Sequence, residues 1–254
     1  MPGYNSFARF YEGLMEDAEY KKRCDYILEL SRRFCHDMGR TLDLACGTGS
    51  LTRELKKCGV DVFGVDSSAD MLTEAMQKNF EDELDILYVN QEMQNLDLGQ
   101  TVDTCVCTLD SLNHITDIDV LQQVFCRIGE FMESGGLLIF DVNTVYKHRE
   151  ILADNAFVFE NDEVFCAWQN ELEENDVVNI YLDFFEKEGE VYHRYQENFT
   201  ERAYSRECLD KLLKNAEFEV LAVYDDLSFE APESTSQRLI YAAKKIGKEF
   251  FSNG

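Results

Sequence analysis

The sequence predicts an α/β fold: a mostly parallel sheet with helices on both faces, interrupted late by an antiparallel β insertion. Three observations carry that expectation. Strand-like and helix-like segments alternate from residue 40 to residue 142, the rhythm of βαβ units with right-handed crossovers. A pair of glycines two residues apart follows the first strand in "LDLACGTGSL", residues 42–51. Between residues 156 and 200 the pattern changes to period-two alternation with no convincing helix.

Taken in order, residues 6–36 carry helical periodicity, from "SFARFYEGLMED" through "YKKRCDYILELSRRF". "RTLDLA" (40–45) reads as the first strand and "SLTRELKKC" (50–58) as a helix stopped by Gly59. "VDVFGVD" (60–66) is the second strand, followed by the helix "SADMLTEAMQKN" (68–79) with Ser67 or Ser68 as its cap. "LDILYVN" (84–90) and "TVDTCVCTL" (101–109) are the next strands, and "DIDVLQQVFCRIGEFM" (117–132) the next helix. "GGLLIFDV" (135–142) gives a fifth strand after a Gly-Gly turn. The insertion offers antiparallel strands joined at Asn161-Asp162, Glu174-Asn175-Asp176 and Lys187-Glu188-Gly189. The helix "SRECLDKLLKNA" (205–216) and two strands, "FEVLAVYDD" and "QRLIYAAKK", close the chain and bring the main sheet to seven strands. The expected organisation is a helical N-terminal lid (1–36), a core (37–145 and 201–254) and an inserted β lid (146–200).

Composition narrows the partners. Lys and Arg number 24 against 50 Asp and Glu, a formal net charge of −26. That field repels a phosphate backbone, so no nucleic-acid partner is expected, and a small molecule or a cationic partner is favoured. Acidic runs such as "EDELD" (81–85) read as solvated faces. The nine cysteines are odd in number and form no C-x-x-C pair; with no leader at "MPGYNSFARFYEGL", they read as reduced thiols in a cytoplasmic protein. No apolar run approaches the roughly 20 residues of a membrane span. The four histidines make no ligand cluster with cysteine, so no metal site is expected. The inserted strands would allow two copies to pair as a homodimer.

The glycine loop is the centre of the functional reading. A dinucleotide site uses G-x-G-x-x-G, whereas Gly47-Thr48-Gly49-Ser50-Leu51-Thr52 lacks the third glycine. Asp43 lies inside the first strand, where an isolated buried carboxylate is expensive unless it anchors the loop amides or reaches a ligand ammonium. Asp66 ends the second strand, where a carboxylate can accept both hydroxyls of a ribose.

The ordered set "LDLACGTGSLTREL", "VFGVDSSADMLTEA", "VNQEMQNLDL" and "DTCVCTLDSLNHI" resembles the motifs of class I S-adenosylmethionine-dependent methyltransferases. The match covers roughly residues 37–145 well and the terminal helix-strand-strand in outline, and implies a Rossmann-like sheet with S-adenosyl-L-methionine as cofactor. The opening segment and the insertion resemble small-molecule methyltransferases, amino-sugar and glycine N-methyltransferases among them. By that resemblance Gly47 and Gly49 line the methionine end and Asp66 holds the ribose, with Asp43 and Ala45 also counted among the cofactor-binding residues. Ser67 and Met71 flank the adenine, Glu92 meets its amine and Met93 lies beside the ring. Leu109 and Asp110 face the sulfonium end, and Tyr11 reaches over the cofactor from the N-terminal helix. Two positions depart from the pattern: Glu92 and Glu12 stand where Asp is commoner.

The resemblance implies in-line transfer to a nitrogen, oxygen or sulfur, or, if chemistry is absent, a cofactor-binding sensor. Some amino-sugar N-methyltransferases carry a histidine at the place of His114, which the resemblance makes the candidate general base. A neutral imidazole suits that task near pH 7, and water as the proton acceptor is the alternative. Asn113 and Tyr146 are candidates for orienting substrate. In the insertion, Trp168 would form a substrate wall and Arg194 would meet an anionic group, against the plainer reading of lid core and polar edge strand. Tyr241 and Lys245 reproduce a Y-x-x-x-K spacing, but in a strand the two side chains do not meet.

Overall fold

A computed structural model describes residues 19–162 and 164–247. Helix α1 (Tyr20–Arg33) leads into β1 (Arg40–Leu44), α2 (Ser50–Lys57), β2 (Asp61–Asp66), α3 (Ala69–Glu81), β3 (Tyr88–Asn90) and β4 (Val102–Cys107). Then follow α4 (Ile118–Glu130) and β5 (Met132–Asn143). The four strands β6 (Ala156–Glu160), β7 (Val164–Leu172), β8 (Val177–Glu188) and β9 (Val191–Arg202) come next, and α5 (Arg206–Asn215), β10 (Phe218–Asp225) and β11 (Arg238–Lys245) complete the order.

Seven strands form one sheet in the order β10-β11-β5-β4-β1-β2-β3. The run from β3 to β5 is parallel, and β11 lies antiparallel between β5 and β10. Chain order reverses between β1 and β4, and such a switch point opens a crevice at the carboxyl ends of the strands. Period-two side chains divide two cores. Leu138, Phe140, Tyr241 and Ala243 join Phe125 of α4 and Leu213 of α5 on one face. Leu137, Ile139, Ile240 and Ala242 join Ile27 and Leu30 of α1 and Leu55 of α2 on the other. Tyr241 is thus a core residue, while Lys245 pairs with Glu217 at 2.9 Å.

The second sheet, β6-β7-β8-β9, is wholly antiparallel. Its own small core holds Leu152, Cys166, Val178, Ile180, Leu182 and Phe184, with Trp168, Tyr195 and Phe199 packed against it. Residues 195 and 199 face inward, so Glu197 and Glu201 share that face while Tyr192, Arg194 and Gln196 point the other way.

Local features depart from the sequence expectation on either side of the β5 core. The Gly135-Gly136 pair lies inside β5, not in a turn before it: the register with β4 jumps between Val102↔Met132 and Thr104↔Leu137, and Gly135 has φ +86°. This is a bulge, and a left-handed glycine is its ordinary means. After β5 the chain makes a π-helical turn over Lys147–Leu152, closed by Ala153 N donating to His148 O at 2.7 Å. Short polar-apolar runs give no local signal for that winding.

Candidate functional site

The carboxyl end of β1 turns through three left-handed residues: Ala45 (φ 58°), Gly47 (φ 54°) and Gly49 (φ 72°). The two glycines do different work. A Cβ on Gly49 would sit 2.4 Å from Tyr88 Oη, so this glycine permits close packing against β3. Among the described residues nothing lies within 4 Å of a Cβ on Gly47, so none of them covers this stretch of main chain. Cys46 N donates to Val65 O at 3.1 Å and Gly49 N to Cys46 O at 2.9 Å, fixing the turn. Asp66 at the end of β2 accepts from Gly47 N and from Ser68 N, both at 2.8 Å. Burial pushes the Asp66 carboxyl up, opposed by the N–H donors of Ser68, Gly47 and Ser67. Asp43 is buried and accepts from Thr52 Oγ1 at 2.6 Å, at the first turn of α2 and not from the loop amides. Burial pushes its carboxyl up to about 7 against that hydrogen bond, and the charge of Asp66 adds to the rise.

The loop after β4 is built on a more unusual device. Leu109 (φ 58°) and Asp110 (φ 54°) are successive non-glycine residues in the left-handed region, at a cost of about 1–2 kcal/mol each. Both of their N–H groups are captured by one carboxylate, since Leu109 N donates to Asp141 Oδ2 at 2.8 Å and Asp110 N to Asp141 Oδ1 at 2.7 Å. Asp141 is fully buried near the end of β5 and is clasped by Arg23 of α1 at 3.0 Å and by Arg238 of β11. Arg238 also reaches Asp110 Oδ2 at 3.2 Å. Asn143 Nδ2 donates to Asp110 Oδ2 at 2.6 Å and to Glu201 Oε2 at 3.1 Å, while Lys147 Nζ donates to Asn143 Oδ1 at 2.9 Å. Burial alone would raise the Asp110 carboxyl, but Arg238, then Lys147 and His114, together with the Asn143 hydrogen bond, hold it well below the usual carboxylate range. Burial pushes the Lys147 ammonium down, with Asp110 acting against it.

A bare glycine turn at the end of β1 and a pinned turn at the end of β4 therefore flank the switch point of a mixed seven-stranded sheet. Residues 41–136 match the family model described as a methyltransferase domain. A Bacillus subtilis protein named as a methyltransferase, YqeM, is 31% identical over 244 residues, 95% of this chain and 97% of that one. The crystal structure of a S-adenosylmethionine-dependent methyltransferase from Clostridium acetobutylicum superposes with a TM-score of 0.89 at 36% identity, covering 96% of this chain and 99% of the other. The chain belongs to the S-adenosylmethionine-dependent methyltransferases. A more distant relative, a dTDP-3-amino-3,4,6-trideoxy-alpha-D-glucopyranose N,N-dimethyltransferase of Streptomyces venezuelae, is 26% identical over 132 residues, 52% of this chain and 53% of that one.

The residues of this methyltransferase fit the cofactor, S-adenosylmethionine. Among the described residues nothing lies over a Cβ on Gly47, and a carboxylate with about four lone-pair sites has room for a hydroxyl beside the N–H groups of Ser68, Gly47 and Ser67. Ser68 caps α3 by accepting from Met71 N at 3.2 Å; Ser67 is exposed and Met71 buried. Glu92 is exposed, its Oε2 accepting from Gln94 at 3.0 Å and Asn95 at 2.8 Å, and the half-buried Met93 packs on the main core. Tyr11 lies outside the described residues.

His114 closes a 3-10 turn over Ser111–His114 and is about half-exposed. It lies near enough that its protonated form would draw down the carboxyls of both Asp66 and Asp110. Asn113, expected to orient substrate, is instead fully buried: its Nδ2 donates to Asn143 O and Arg202 O at 3.3 and 2.9 Å, and its Oδ1 accepts from Asn143 N at 2.9 Å. With both ends of its amide engaged, it braces the loop against β5 and β9. Tyr146 is half-buried at the start of the π-helical turn and borders a cleft shared with Arg149, Asp176 and Tyr204. Trp168 is half-buried, packs edge-on to Phe157 at 5.6 Å between centroids and donates to Asn170 Oδ1. Arg194 is not brought to the site. It lies on the outer face, its Nη2 2.6 Å from Asp183 Oδ1, and the neighbouring strand satisfies the charge that was expected to meet a ligand.

Sequence reasoning passed over Arg23, Asp141, Asn143, Glu201 and Arg238. One signal was available: Asp141 interrupts the apolar run "LLIFDV" as Asp43 interrupts "LDLA", and a charge inside a buried strand implies a partner.

Proposed function

We propose that this methyltransferase methylates a nitrogen of a small-molecule acceptor, with His114 receiving the proton that the nitrogen sheds. When bound, S-adenosylmethionine supplies a methyl group already activated by its sulfonium. The protein's part is then orientation and exclusion of water. Gly47 and Asp66 hold the two ends of the cofactor, and the pinned Leu109-Asp110 turn sets the floor against which the acceptor lies. The antiparallel sheet covers that floor as a lid, inserted in a core of residues 37–145 and 201–254. The single observation that carries the reading is a half-exposed imidazole on the 3-10 turn that follows β4, directly after the pinned Leu109-Asp110 turn and against Phe199 of the inserted sheet. The amino-sugar relative, named as an N,N-dimethyltransferase, supports nitrogen as the acceptor atom. A net charge of −26 supports a small or cationic acceptor over nucleic acid, and nine free thiols support a reducing compartment such as the cytoplasm. Among the described residues no helix is long and apolar enough to cross a membrane.

The test is a screen of a metabolite pool with methyl-labelled cofactor. Label is expected on the nitrogen of a small amine, with the His114→Gln variant slowed by about a hundredfold, the scale of general-base catalysis. Label appearing only on oxygen or sulfur, or on macromolecules, would overturn the assignment.

A further inference from the structure

Behind His114 stands a carboxylate that the reading above leaves unused. Glu201 is the penultimate residue of β9, on the inward face of the antiparallel sheet, and is 5% exposed. Its two oxygens are turned in different directions. Oε2 points inward, accepting from Asn143 Nδ2 at 3.1 Å and lying 3.6 Å from Nε2 of His148. Oε1 points toward His114 Nε2 at 3.9 Å, and the His114 ring is held by Phe199, two residues earlier on the same strand face, at 5.1 Å between centroids.

The Asn143 amide holds Oε2 in that pose, and His148 stands behind it as an acceptor that gives the carboxylate no hydrogen bond. His148 is fully buried in the π-helical turn, and its Nδ1 lies 2.8 Å from Asp176 O. A carbonyl only accepts, so Nδ1 carries the proton and Nε2 is the ring atom left facing Glu201. That Nε2 has no hydrogen-bond partner in the described residues. A buried acidic side chain among such neighbours is a costly way to finish a strand, and an apolar residue would serve a merely structural end better.

We propose that Glu201 is the positioning residue for His114, an inference that rests on the proposed function. Its Oε1 accepts the Nε2–H of His114, which leaves Nδ1 of the same ring unprotonated and free to face the acceptor. The 3.9 Å separation shortens to a hydrogen bond when the pocket closes on its ligands, as catalytic hydrogen bonds commonly do. The proton shed by the acceptor nitrogen moves to His114 Nδ1. The resulting imidazolium keeps its Nε2–H on Glu201, and the half-exposed ring then releases the Nδ1 proton to water. The inserted sheet thereby contributes to the chemistry as well as covering it.

The test reads the ring nitrogens directly and needs no knowledge of the acceptor. The full chain, labelled with 15N, is studied by long-range proton–nitrogen correlation at about pH 8.5, above the ordinary imidazole range, with the histidines assigned by single substitutions. In the wild type, His114 is expected in the Nε2–H form. In Glu201→Gln the inward oxygen position is kept by Asn143, so the new amide NH2 faces His114 and donates to it. The tautomer ratio then moves toward Nδ1–H by about tenfold, the worth of one hydrogen bond to a charged group. Glu201→Asp, which keeps the carboxylate, retains the wild-type preference. A wild-type His114 in the Nδ1–H form, or a ratio unmoved by Glu201→Gln, overturns the proposal. Should Glu201→Gln fail to fold, the wild-type tautomer and the aspartate variant decide alone. Calorimetric titration with S-adenosylmethionine separates the two readings. A flat wild-type titration sinks the proposed function, whereas cofactor binding with an unmoved tautomer sinks only the role of Glu201.

Discussion

Gly47 and Gly49 sit two residues apart in the same backbone region, yet substitution should break them differently. In Gly49→Ala the new methyl meets Tyr88 Oη at 2.4 Å at φ +72°, and a loss of about 2–3 kcal/mol in unfolding free energy is expected, read by urea titration. In Gly47→Ala the methyl meets none of the described residues, so only the left-handed strain of about 1 kcal/mol is expected. Calorimetry should instead show cofactor affinity down by about tenfold, or 1.4 kcal/mol, because the methyl occupies the space over the bare turn. Asp43 gives a pH signature. Its carboxyl titrates near 7 in the folded chain and near 3.9 when unfolded. Between those values the native state holds a proton that the unfolded chain has released, so stability falls as pH rises from about 4 to about 7 and is level above that. Asp43→Asn should remove a slope on the order of 2–4 kcal/mol across that window, measured by denaturation at pH 5 and pH 8. Asp66, also raised by burial, keeps a smaller slope of the same sign.

At the level of elements, what could be read from the sequence was what neighbouring residues decide. Ser68, Asp117 and Ser205 each accept from a backbone N–H in the first turn of the helix that follows, and each is marked in the sequence by a small polar residue before an apolar period. Asp117→Ala should cost about 1 kcal/mol, seen as a lowered melting temperature. The strands β1, β2, β4 and β5 were equally legible, because runs buried on both sides leave few other readings. The strand expected over residues 84–90 shrinks to Tyr88–Asn90, since Leu87 is 60% exposed and the sheet edge needs only three residues. The pinned turn after β4 could not be read at all. It depends on Asp141 lying 32 residues downstream and on Arg23 lying 118 residues before Asp141, and no local pattern reports such a meeting. Asp141→Asn leaves an oxygen for one N–H and takes one buried carboxylate from two guanidinium groups, which keep Asp110 at 3.2 Å and Asp226 at 3.6 Å, so a loss of about 3 kcal/mol is expected by chemical denaturation. Glu201 and His148 escaped for the same reason, one hidden in a polar-looking strand and the other in an unsignalled π-helical turn.

For the molecule as a whole, the charge of −26 acts on anything that approaches. S-adenosylmethionine carries one net positive charge and its demethylated product none, so the field draws in the substrate form and is indifferent to the product. Stopped-flow association of the cofactor should slow by about threefold to tenfold between 0.05 and 0.5 M salt, while association of the product changes little. Equal salt slopes for the two would mean that the paired charges of Arg23, Arg238 and Lys147 with Asp141 and Asp110, and not the surface field, set the potential at the pocket. The clasp on Asp141 has a further consequence, in time. Its three clients come from residue 23, residues 109–110 and residue 238, and β11, which brings the last of them, pairs with β5 and joins β10 to the sheet. A nascent chain on the ribosome can thus wind most of its helices and pair five parallel strands while its pocket floor is still loose. Competence to take up the methyl donor is expected to arrive only with β11, and a chain truncated before residue 238 should give a flat calorimetric titration with S-adenosylmethionine.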